Sequence, residues 1–186
     1  MTKNKIIEIA LELFSKHGYG NVSMDMIKDR ADIAKGTLYY HFKSKDELFG
    51  TACDTLINRI RTSVMNRACG EIGTREYFLN TFEASIDYLW EHREMIRMFF
   101  IIKKHPPSEE MINKHGNLIK RTINMMKDGL ITMGVSEKKA SHISPLLMTM
   151  IISIFPGIKH GFYTDKDYYK KTVLRAAKEL IGDSYE

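Results

Sequence analysis

The chain has 186 residues, of which 44% are hydrophobic and 27% charged, and its formal net charge is +5. These proportions are those of an ordinary globular protein, and they exclude a disordered, collagen-like or disulfide-dense chain. The longest nearly uncharged apolar run, 144–158, falls short of the roughly 18–20 residues that a bilayer span needs. Glu8 and Glu12 sit inside the N-terminal apolar stretch, where a secretion signal would carry no carboxylate. A cytoplasmic protein with no membrane association is therefore expected.

The apolar spacing is helical nearly throughout, valine occurs only four times, and no clean alternating stretch stands out. This predicts an all-α fold of about nine helices. The first covers about 3–17, with Ile6, Ile9, Ala10, Leu13 and Phe14 on one stripe and Gly18 as its stop. The second, about 24–31, is capped by Ser23 and turns Met24, Ile27 and Ala31 inward. The third, about 35–41, points Leu38 and Phe42 at the core. Ser44-Lys45-Asp46-Glu47 opens the fourth as a capping box, in which Ser44 and Glu47 satisfy each other's amides. Its stripe continues through Leu48, Ala52, Leu56, Ile60 and Val64.

A break follows at Gly70 to Gly73, and Thr74 caps a fifth helix that reaches about Glu91. The sixth covers about 92–104 and stops at Pro106 and Pro107. Ser108 opens the seventh, which runs to about Met133. Ser136 caps the eighth, which reaches about 160 with Pro156 as a kink or break, and Asp165 caps the last, about 166–181. The expected division is a three-helix unit over 1–47 and a larger helical body over 48–186.

Two short helices joined by a tight connection at about 32–34 describe a helix-turn-helix. Such a unit presents the N-terminal part of its second helix to the DNA major groove. Ile33, Leu38 and Phe42 anchor that helix from inside, while Lys35 and Thr37 suit base edges and Gly36 permits close backbone approach. Tyr39, Tyr40 and His41 can reach phosphates with hydroxyl and imidazole groups. Lys45 at the start of the fourth helix adds an ammonium to free backbone amides, an anion site. Residues 1–49 hold eight Lys/Arg against seven Asp/Glu. Any DNA affinity there must come from where the cations sit rather than from their sum.

The stretch KGTLYYHFKSKDELF, behind an amphipathic helix and the Ile27–Ala31 pair, resembles the DNA-binding region of the TetR family of transcriptional regulators. The likeness covers about residues 4–50. It implies that Lys35, Gly36 and Thr37 lie near bases, and that Tyr39, Tyr40, His41 and Lys45 hold phosphates together with Ser23. Three positions depart from the family pattern: Lys28 stands where Ala is common, Asp32 where Gly is common, and Ala34 where a capping Ser or Thr is common. Asp tolerates the left-handed backbone that such a turn needs, and a missing cap costs about 1 kcal/mol.

In the larger body, most of the methionines lie beyond residue 90, with Trp90, Phe99, Phe100, Phe155 and Phe162. Such adaptable side chains suit a pocket for an apolar effector among the fifth to eighth helices. Phe82, Phe99, Met125 and Met148 are the candidate lining residues. The helix from 144 is apolar almost all round, so it requires cover on two sides. A homodimer through about 144–160 and 166–181 is expected, with Tyr169, Val173, Ala176, Ala177 and Leu180 offered by the last helix.

The combined expectation is a ligand-responsive regulator, a repressor released from double-stranded operator DNA by a small molecule. Cys53 and Cys69 form no metal-binding spacing, and on one helix they would lie about 24 Å apart, beyond disulfide reach. The seven histidines are scattered. No catalytic residue, metal or cofactor is expected. The competing readings, an all-helical enzyme and an interaction module without DNA binding, lack a supporting motif.

Overall fold

The computed structural model describes residues 3–96 and 108–182, and among these every regular element is helical. The chain divides into two compact units, Met1–Arg59 with His92–Asn117, and Ile60–Glu91 with Leu118–Glu186.

The first unit contains α1 (Lys3–His17), α2 (Met24–Ala31), α3 (Lys35–His41), the beginning of α4 (Lys45–Arg67) and α6 (Arg93–Ile96). The stripe of α1 buries Ile6, Ala10, Leu13 and Phe14 as its spacing predicts. Ile7 and Leu11 are buried too, whereas Ile9 is only half-buried, so the inward face lies slightly round from the expected one. Phe14 meets Phe49 edge to face with centroids 4.9 Å apart, and Tyr19 meets the same ring at 4.9 Å. Tyr19 belongs to a 3-10 turn, Tyr19–Asn21, that follows Gly18. The first turns of α4 bury Leu48, Phe49, Ala52, Cys53 and Leu56, and the division between units falls within α4.

The second unit contains α5 (Arg75–Glu91), most of α7 (Glu109–Thr132), α8 (Glu137–Ile152), α9 (Ile154–Lys159) and α10 (Lys166–Ile181). The expected eighth helix is thus two, interrupted at Ser153. Pro156 explains the position. It cannot donate to the Ile152 carbonyl, and its ring crowds that carbonyl, so the ladder ends at Ile152 rather than at the proline itself. Pro145 is accommodated inside α8.

Among the described residues, α6 ends at Ile96; the expected continuation to 104 and its stop at Pro106 and Pro107 lie outside them. On α10, Tyr169, Val173 and Ala177 are buried within this unit, and the Tyr169 hydroxyl donates to the Met150 carbonyl at 2.6 Å. Three residues of the stripe offered for a partner subunit are therefore spent on the intrachain core, while Ala176 and Leu180 are only half-buried. The ring of Tyr163 covers Gly157 so closely that a Cβ there would fall 1.8 Å from it. Lys166 and Lys170 reach Asp87 at 2.8 and 3.3 Å, which ties α10 to α5. Burial alone would raise the Asp87 carboxyl, but the two lysines hold it below the usual range.

Candidate nucleic-acid interface

The geometry of the helix-turn-helix follows from three local devices. The Ser23 hydroxyl accepts from the Met26 amide at 3.1 Å and starts α2. Asp32 ends it in the left-handed conformation, φ 54 and ψ 56, the one non-glycine with positive φ among the described residues. The Ile33 amide reaches back to the Lys28 carbonyl at 3.2 Å, closing the turn as a Schellman-type stop does. Ala34 then precedes α3 with an extended backbone and no side-chain cap.

Leu38 and Phe42 are fully buried and hold α3 against the first unit, with Ile33 half-buried beside the turn. The opposite face is open. Lys35, Gly36, Tyr39 and Tyr40 are exposed, with Tyr40 at 78%, and Thr37 and His41 are half-exposed. A Cβ at Gly36 would meet nothing within 4 Å. Tyr40 and His41 stand edge to face at 5.1 Å. The Lys35 ammonium lies 5.8 Å from the Tyr39 ring centroid and 3.9 Å from the Asp25 carboxylate.

Lys45 is held differently from the sequence expectation. Its ammonium donates to the Tyr19 carbonyl at 3.1 Å and lies 4.1 Å from the centre of that ring. Burial lowers its pKa, although Asp46 partly opposes this. One of its three donors is thus engaged within the chain, and the lysine is docked rather than free. Asp46 accepts from the Tyr19 hydroxyl and, at 3.2 Å, from the Ser108 amide. Burial would raise the Asp46 carboxyl, yet these hydrogen bonds hold it below its ordinary value. The Tyr19 phenol is pushed up, first by burial and then by Asp46.

The capping box at the start of α4 is also modified. Ser44 accepts from the Glu47 amide at 3.1 Å, but Glu47 returns the contact to the Lys43 amide at 2.7 Å, one residue earlier than expected. The Lys43 ammonium donates to the Tyr39 carbonyl at 3.1 Å, fastening the end of α3. Sequence reasoning missed Tyr19, Asp25 and Asp46 as parts of this surface. Their roles arise from contacts across the fold, which no local spacing announces.

The candidate effector residues are dispersed in environment. Phe82 is buried, Met148 is half-buried, Met125 is 56% exposed, and Phe99 lies outside the described residues. None of them lines the open groove of about 440 Å³ between α5 and α10, whose walls are Arg75, Glu76, Leu79, Asn80, Glu83, Leu174 and Lys178. That groove has an ionic rim; Lys170 beside it binds Glu83 at 3.0 Å. No group of His, Cys, Asp or Glu able to hold a metal occurs among the described residues, and no described helix is long and apolar enough to cross a membrane.

A buried-anchor helix with an open polar face, set behind a capped helix and a left-handed turn, defines a helix-turn-helix DNA-binding protein. Residues 6–52 match the family model described as bacterial regulatory proteins, tetR family. Over that stretch the chain is similar to the DNA-binding region of the TetR family of transcriptional regulators. It is 28% identical over 119 residues to the biofilm operon icaADBC HTH-type negative transcriptional regulator IcaR of Staphylococcus aureus (strain Newman), a match covering 62% of this chain and 61% of that protein. The matched stretch thus spans less than two thirds of that relative's length.

Two solved structures share the fold over nearly the whole chain. A transcriptional regulator from Pseudomonas aeruginosa PAO1 has a TM-score of 0.78 at 17% identity, covering 98% of this chain and 91% of that one. A transcriptional regulator from Aquifex aeolicus VF5 has a TM-score of 0.73 at 21% identity, covering 97% and 99%. The relatives found are regulators, not enzymes.

Proposed function

We propose that this chain is a ligand-responsive repressor that acts in the cytoplasm as a homodimer on a near-palindromic operator. The observation that carries the reading is the two-sidedness of α3: Leu38 and Phe42 have no exposed surface, while Gly36 faces open space and Tyr40 is 78% exposed. An intrachain role accounts for the first pair and leaves the second without one. In this reading Lys35, Gly36 and Thr37 approach base edges in the major groove. Ser23, Tyr39, Tyr40, His41 and Lys45 hold phosphates, with Lys45 exchanging its hold on the Tyr19 carbonyl for a phosphate oxygen. The name of IcaR as a negative regulator supports repression.

The effector is a small, apolar molecule bound in the second unit. Coupling to DNA runs through α4, one continuous helix that begins at Lys45 and ends at Arg67. Only an effector that binds one conformation better than the other can shift the equilibrium. Exposed Leu146 on α8 and Tyr168 on α10 support dimerisation through these helices, with residues other than the buried Tyr169 stripe.

Gel-shift titration at several salt concentrations tests the assignment of roles. Lys45→Ala should weaken binding to all sequences about equally and reduce the salt slope by about 0.9, the share of one phosphate contact. Thr37→Ala should cost about 1–3 kcal/mol and relax preference at one base position. Identical behaviour of the two variants would refute the division into phosphate and base contacts.

A further inference from the structure

We infer that Asp25 is a specificity-determining residue of the DNA interface: its carboxylate occupies the Lys35 ammonium in the free protein and withholds that charge from DNA that does not fit. The inference rests on the proposed placement of α3 in the major groove. Asp25 lies in the first turn of α2, and Lys35 is the first residue of α3. Across the turn their charged groups stand 3.9 Å apart, with side chains 64% and 66% exposed. Asp25 also acts on Lys28, whose pKa is raised chiefly by Asp29 and further by Asp25.

The same economy recurs over the surface of α1 to α3. Lys28 meets Asp29 at 2.5 Å, and Arg30 meets Glu12 at 3.0 Å. Three cations of a segment with eight Lys/Arg and seven Asp/Glu are therefore matched internally. Among the ion pairs of the described residues, the Asp25 pair is the one that ties up a side chain of the reading helix. Non-specific DNA affinity comes almost entirely from Lys and Arg neutralising phosphates and releasing the counterions condensed on them. A cation already paired must first be freed, and the abandoned carboxylate then faces a polyanion. On arbitrary DNA that penalty is not recovered. On a fitting sequence it is, because Lys35 gains a base edge such as the O6 and N7 acceptors of guanine. The carboxylate thus lowers affinity everywhere and widens the difference between sequences.

Fluorescence anisotropy on the full-length protein tests this with two labelled probes, a random-sequence duplex and a duplex selected by the parent protein from a random pool. Asp25→Asn should bind the random duplex about two- to fivefold tighter, the scale of an exposed ion pair. Its salt slope should steepen by about 0.9, and its preference for the selected duplex should narrow. Asp25→Glu, which keeps the charge, should retain parental discrimination. In a Lys35→Met background, Asp25→Asn should give a clearly smaller gain, because only the repulsion between the carboxylate and DNA is then relieved.

Unchanged or weaker binding of Asp25→Asn to the random duplex overturns the inference. So does an equal effect in the Lys35→Met background, which would make Asp25 a simple repulsive charge. A loss confined to the selected duplex overturns it as well, because Asp25 would then be reading a cytosine amino group. If Lys35→Met alone leaves both probes unaffected, the placement of Lys35 at the DNA fails and the inference falls with it. If Lys35→Met is impaired and Asp25→Asn is silent, only the inference fails.

Discussion

At the scale of single residues, Gly36 separates what the protein needs from what its partner needs. Its backbone is helical without positive φ, and a Cβ there would touch nothing within 4 Å. Gly36→Ala should therefore leave the protein intact or raise its stability by about 0.5–1 kcal/mol, the usual gain of Ala over Gly in a helix. The same methyl group should weaken operator binding by standing where the DNA approaches. A urea melt and a gel shift on one preparation would show stability and affinity moving in opposite directions.

Asp46 carries a different burden. Its folded-state pKa is depressed, so the stability it adds is present above the ordinary carboxylate pKa of about 3.9 and is lost as pH falls through the lower folded value. Asp46→Asn should cost about 1 kcal/mol at neutral pH. The gap from the parent should close in acid, as read from urea midpoints across the pH range. Because Tyr19 holds both Asp46 and Lys45, the variant should also loosen the docked lysine.

At the scale of elements, most of the first unit was legible from the sequence. Ser23 and Gly18 marked real helix ends, and Asp32 does adopt the left-handed turn that its small polar side chain tolerates. These features are local: a cap or turn is decided by atoms within about four residues. Ala34 shows the same logic in reverse. Its φ of −66 and ψ of 148 already have the extended form of a capping residue, but its methyl group accepts no hydrogen bond. Ala34→Ser should stabilise the protein by about 1 kcal/mol. For a chain of this size that is a rise in melting temperature of about 2–4 °C, measurable by circular dichroism. Pro156 announces a kink or break in the eighth helix, but the break falls ahead of the proline, because its effect is on the carbonyl four residues before it.

At the scale of the whole molecule, the proposed dimer must use what the second unit leaves uncovered. Leu146 is 51% exposed and Tyr168 74%. Leu146→Glu should keep the fold, because the residue packs little within its own chain. In a two-fold interface it would place two carboxylates in an apolar contact, since each residue there appears twice. Light scattering after size exclusion should show the variant shifting from dimer towards monomer, with a matching loss of operator affinity. Retention of the dimer would remove α8 from the interface.

The linear order of residues by itself determined most of the helices, the caps at their starts and the residue types along α3, because each depends on neighbours within a turn or two. It also carried the family resemblance, which lies in one contiguous stretch. The tertiary structure alone decided how those parts are used. Lys45 docks on Tyr19 and Asp46 joins Ser108 across separations of 26 and 62 residues. Asp25 meets Lys35 only because the turn at Asp32 brings two helix starts together. The stripe of α10 is equally apolar whether it faces its own core or a second subunit. Periodicity reports that a face is buried, and only packing reports against what.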